Sequence, residues 1–64
     1  MASFKINDKY SARYSLEKEG SGWVAEGELW KGDTKTKIRF RATGKTRQAA
    51  VNSAHREARN CVPD

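Results

Sequence analysis

From Lys35 to Thr43 the chain reads Lys-Thr-Lys-Ile-Arg-Phe-Arg-Ala-Thr, an unbroken alternation of residue types. Thr36, Ile38, Phe40 and Ala42 point one way, and Lys35, Lys37, Arg39 and Arg41 the other. A period of two marks a strand with one face on a core and one in water. Gly44-Lys45 break the pattern, and Thr46 offers a capping hydroxyl for a helix running to about Cys61 or Val62, where Pro63 stops it. This strand, glycine, cap and helix sequence sets what the rest of the chain has to complement.

Two earlier stretches alternate in the same way. Tyr10, Ala12, Tyr14 and Leu16 share one face of the first, opposite Ser11, Arg13, Ser15 and Glu17. In the second, Trp23, Ala25, Gly27 and Leu29 oppose Val24, Glu26, Glu28 and Trp30. Gly20-Ser21 and Gly32-Asp33 supply glycine-first turns, which suit two-residue hairpins. Centring the hairpins there places Arg13 opposite Glu28, Ser15 opposite Glu26 and Tyr14 opposite Gly27. It also places Trp30 opposite Lys35, Glu28 opposite Lys37, Glu26 opposite Arg39 and Val24 opposite Arg41. Apolar then meets apolar throughout, and each central glutamate lies beside a base.

The helix carries Ala50, Val51, Ala54, Ala58, Cys61 and Val62 on one side, spaced at three and four. Small alanines let it lie close to a sheet bearing Tyr14, Trp23, Leu29, Ile38 and Phe40. The expected architecture is α+β: a three-stranded antiparallel meander over residues 9–43, packed on one C-terminal helix over 46–62 (β-β-β-α). Residues 1–8 serve as an arm or a short edge strand, since Phe4 and Ile6 alternate with Ser3 and Lys5.

Sixty-four residues suffice for one small domain with a thin core. No apolar run approaches the ~20 residues of a membrane span, and the first residues lack the apolar centre of a signal peptide. A single cysteine, Cys61, excludes an internal disulfide framework and suits a reducing cytoplasm, where it reads as a small buried hydrophobe. Of the 13 Lys and Arg and 8 Asp and Glu, residues 1–29 hold four bases and five acids. Residues 30–64 hold nine bases and three acids. A basic half of this kind fits a polyanionic partner, and equally a surplus of solubilising charge.

Catalytic constellations are hard to assemble. His55, the one histidine, borders the apolar stripe of the helix, with no nucleophile elbow and no supporting acid. One histidine and one cysteine six residues apart do not make a metal set. Glu26 and Glu28 share a face, but the register surrounds them with bases, which favours ionised carboxylates over a proton donor. Gly44-Lys45-Thr46 lacks the first glycine of a phosphate-binding loop. The residues therefore point away from an enzyme, a metal centre and a cofactor.

They point instead to the uncovered sheet face, where Arg13, Trp30, Lys35, Lys37, Arg39 and Arg41 stand together around Val24. Cations with an aromatic on an open sheet suit groove insertion or base stacking. Lys45 and Arg47 add a second basic cluster at the start of the helix, where free backbone N–H groups attract phosphate. The bland reading is a solvated face whose bases pair with Glu26 and Glu28. The expected partner is nucleic acid, DNA ahead of RNA, for a monomer or homodimer. A protein partner, met through a sheet edge or the Trp30 surface, is the other expectation.

Three families resemble parts of this pattern. Trp23 opening the second strand, and Phe40-Arg-Ala-Thr-Gly-Lys-Thr-Arg-Gln-Ala-Ala50 entering the helix, resemble the arm-site-binding domains of phage and transposon integrases and the plant ethylene-response DNA-binding domains. That likeness implies a three-stranded sheet in the major groove, with Arg13, Trp30, Lys35, Lys37, Arg39 and Arg41 facing DNA, in a phage or mobile-element setting. Glu26 and Glu28 depart from it, because such domains usually keep bases on the central strand. Gly44-x-Thr46-x-x-Ala49-x-x-x-x-Ala54 after a Tyr-rich hairpin is similar to HicB-type antitoxins, which implies a small protein partner. The end of the chain is similar to the last half of double-stranded-RNA-binding domains, without their first helix.

Overall fold

The computed structural model describes residues 2–63. Four strands and a helix follow in order: β1 (Ala2–Lys5), β2 (Tyr10–Glu19), β3 (Gly22–Lys31), β4 (Thr34–Gly44) and α1 (Arg47–Cys61). The strands form one antiparallel sheet in the order β1-β2-β3-β4. Both hairpin turns lead with a glycine in the left-handed region, Gly20 at φ 61° and Gly32 at φ 60°. Thr46 caps the helix from extended backbone (φ −124°, ψ 165°), and its hydroxyl accepts from the Ala49 N–H at 3.1 Å.

The α+β class and the C-terminal helix agree with the sequence, but the sheet has four strands rather than three. β1 pairs with β2 from Ala2↔Tyr14 to Lys5↔Ser11. The helix lies chiefly over β4 and β3, which leaves the β2 side of the core to be closed by something else. Phe4 closes it. Its ring stacks on His55 of the helix (centroids 3.8 Å apart, planes at 17°) and meets Tyr14 edge-on at 6.1 Å. The turn that returns the chain is held by Asn7, whose side-chain oxygen accepts from the Lys9 and Tyr10 N–H groups at 2.8 Å each.

The β2–β3 register is the expected one, including Arg13↔Glu28, Tyr14↔Gly27 and Ser15↔Glu26. The β3–β4 register starts as expected at Trp30↔Lys35 and then shifts. Beyond an irregularity the pairs are Glu28↔Arg39, Glu26↔Arg41 and Val24↔Thr43, each displaced by two residues on β4. Leu29 alone faces Thr36, Lys37 and Ile38 across this bulge. Thr36 makes it possible, because its hydroxyl donates to the Leu29 carbonyl at 2.8 Å and is met by the Ile38 N–H at 3.2 Å. One side chain thus satisfies groups that the ladder would otherwise leave open.

The core lies between sheet and helix. Ala12, Tyr14, Ala25, Leu29, Phe40 and Ala42 meet Ala54 and Ala58 there, with Ile38, Leu16, Phe4 and Cys61 at its margin. Gly27 sits under this layer. A Cβ on it would run into the Arg13 carbonyl, and would lie 2.6 Å from the Tyr14 Cβ and 2.8 Å from the Phe40 ring. The Tyr14 Cβ and the Phe40 ring close in on the glycine from the flanking strands. Trp23, expected under the helix, is instead half-buried outside this cluster, next to the edge glycine Gly44 with which it pairs.

Candidate functional site

Alternation along each strand puts the second set of side chains on a face that no helix covers. The registers turn that face into a series of cross-strand rows, spaced about 7 Å apart along the strands. The row nearest the Gly32 turn is Lys5, Ser11, Trp30 and Lys35. Next come Ser3, Arg13, Glu28 and Arg39, and then Ser15, Glu26 and Arg41. Glu17, Val24 and Thr43 follow, and Glu19 with Gly22 ends the series.

Read in that order, the formal charge falls from the first row to the fourth and stays level in the fifth. The first row has two cations and no carboxylate, and the second has two cations and one carboxylate. The third has one of each, while the fourth and fifth have one carboxylate and no cation. The uncovered face is therefore basic at one end and acidic at the other.

At the basic end the side chains are locked to one another. The Arg13 guanidinium carbon lies 3.8 Å from the centroid of the Trp30 ring, a cation–π stack. The Trp30 indole N–H donates to Glu28 at 3.4 Å, and Lys35 Nζ lies 3.1 Å from the other Glu28 oxygen. Glu28 is mostly covered (its side chain 16% exposed) whereas Lys35 remains 57% exposed. The Lys35 ammonium holds the Glu28 carboxyl below the usual carboxylate range; partial burial opposes it, and the Trp30 N–H and the nearby Arg39 charge reinforce it. Arg39 and Lys37 are exposed, and among the described residues neither has a carboxylate within ion-pair distance.

Arg41 belongs to the other end. Its Nε donates to Glu26 at 3.3 Å, and its terminal nitrogen lies 3.9 Å from Glu19. Of the residues expected at the site, Arg13, Trp30, Lys35 and Arg39 come together, with Lys37 in the bulge beside them. Lys45 and Arg47 do not join them. They follow Gly44, which pairs with Trp23 at the far end of the sheet, and Arg47 lines a depression with Leu16, Tyr14 and Trp23 on the helix-bearing side. Lys5 was outside the expected set and enters the first row through β1. Its signal was the Ser3/Lys5 parity against Phe4/Ile6.

The expected cross-strand pairs Glu28–Lys37 and Glu26–Arg39 are replaced by Glu28–Lys35 and Glu26–Arg41, because of the two-residue shift. Val24, on the uncovered face, is buried beside Ser15, Glu17, Glu19 and Glu26. His55 is a structural residue here, with its Nε2 3.4 Å from the Tyr14 hydroxyl and its ring against Phe4. The described residues hold no group of three potential metal ligands. No helix among them is long and apolar enough to cross a membrane.

Compared with protein-family models, curated proteins and solved structures, the chain matches none of them.

Proposed function

We propose that this domain binds nucleic acid through the basic end of its uncovered sheet face. The observation that carries the reading is the charge gradient. Lys5, Arg13, Lys35, Lys37 and Arg39 gather with Trp30 at one end, where Glu28 pairs with Lys35 and Asp8 with Lys5, while Glu17, Glu19 and Glu26 lie toward the other. A phosphate chain is drawn to the first end and repelled from the second, so the ligand is placed as well as attracted. Arg39 and Lys37 serve as phosphate contacts, and Arg13 with Trp30 offers a flat surface for bases. DNA is the first ligand to try and RNA the second.

The test is a titration of labelled oligonucleotides at several salt concentrations, followed by amide shifts. Binding should weaken linearly in log–log form, with a slope of about 0.7–0.9 per phosphate contact. The shifts should gather at Lys5, Arg13, Trp30 and residues 35–39. A failure to saturate with any oligonucleotide at low salt rejects the reading.

One observation favours a second reading, a protein-interaction module. β4 is an edge strand, so the outer side of its ladder is open to a further strand. Binding of that kind would respond weakly to salt, and its shifts would follow β4 from end to end.

A further inference from the structure

We infer that the basic end takes single-stranded nucleic acid rather than duplex, with a base stacked on the outer plane of Arg13. This rests on the nucleic-acid reading above and narrows it.

Three features of the sheet lead there. The first is width. Where the cations stand, all four strands run side by side, since β1 pairs with residues 11–14 of β2. Three inter-strand gaps span about 14 Å before side chains are added, against a major groove about 12 Å wide. The other end of the sheet has only three strands and could enter a groove more easily, but it carries Glu17, Glu19 and Glu26. The end narrow enough for the groove is acidic, and the cationic end is too broad.

The second feature is the stack itself. Trp30 is held at its ring edge by the N–H bond to Glu28, and the Arg13 guanidinium carbon sits 3.8 Å from the ring centroid. Arg13 is exposed, so its guanidinium presents a planar cation to a base approaching from solvent. Bases in a duplex have both planes occupied by their neighbours, whereas an unpaired base has a plane to give. The third is the flanking charge. Lys35 lies in the row on one side of Arg13, and Arg39 lies across Glu28 in the same row. A backbone passing over the stack meets cations before and after it.

The experiment uses the whole chain and an oligothymidylate about ten nucleotides long, its RNA counterpart, a duplex of equal length, and the same oligomer with abasic sites. The single strands should bind at least about tenfold more tightly than the duplex, and abasic sites should cost about tenfold or more. Arg13→Lys keeps the charge and the exposed position but loses the plane. It should remove most of the difference between oligothymidylate and abasic oligomer while leaving the salt slope unchanged. The DNA and RNA arms decide which sugar is preferred.

Equal affinity for duplex and single strand, or an Arg13→Lys variant indistinguishable from the parent, overturns the stacking inference and leaves the nucleic-acid reading standing. Lack of saturable binding to every probe at low salt overturns both.

Discussion

The hydroxyl of Thr36 donates to the carbonyl of Leu29 at 2.8 Å, across the bulge between β3 and β4. It also accepts from the Ile38 N–H, so one small side chain spans the irregularity. Thr36→Val keeps the shape and removes both interactions. The loss should be about 2 kcal/mol, or roughly 10 °C in Tm for a domain of this size. Thr36→Ser should recover most of it. Thermal melts of the three proteins decide this, and equal midpoints would mean that water can replace the hydroxyl.

Gly27 has no space for a side chain, because the Arg13 carbonyl, the Tyr14 Cβ and the Phe40 ring crowd the place a Cβ would take. Gly27→Ala should destabilise by about 2–3 kcal/mol, the cost of overpacking against backbone and ring. Urea unfolding measures it. A loss under about 0.5 kcal/mol would show that the flanking strands and the Phe40 ring give way easily.

Glu28 gives the protein an acid sensitivity with a definite sign. Its folded-state carboxyl is held below the ordinary glutamate range, chiefly by the hydrogen bond from Lys35. A depressed carboxylate contributes stability that is present above the unfolded value and is lost as pH falls through the lower folded one. The difference in urea midpoint between the parent and Glu28→Gln should therefore be constant from neutral pH down to about 5 and shrink below it. Added salt should reduce the difference too, since Lys35 is largely exposed. A gap that widens in acid would contradict the Lys35 pairing.

Arg39 and Arg41 are two residues apart on one strand, yet only Arg41 is tied to Glu26 and Glu19. Arg39→Gln should weaken nucleic-acid binding and reduce the salt slope by about 1. Arg41→Gln should change neither appreciably. Fluorescence anisotropy over a salt series tests both, and equal losses would place the ligand along the whole of β4.

The sequence showed the hairpins because their determinants are local. Gly20 and Gly32 fix the turns, and alternation fixes which side chains face the core. The bulge at Thr36 was hidden because a displacement of two residues returns every side chain to the same face, so the parity that sets a register cannot detect it. That displacement moved Arg41 from the site to the acidic end and brought Arg39 opposite Glu28. β1 was equally hard to assign. Phe4 and Ile6 show the right parity, but what holds Phe4 is His55, about fifty residues away in the chain. The cationic residues near Trp30 were legible; the gradient that selects among them needed the rows across the sheet.

Every strand in this sheet lies beside its neighbour in sequence, and the helix comes last. No crossover has to be threaded before pairing can begin, so the conformational search is short for a protein made mostly of sheet. Each hairpin can close as it emerges, and the helix then settles on a surface already assembled.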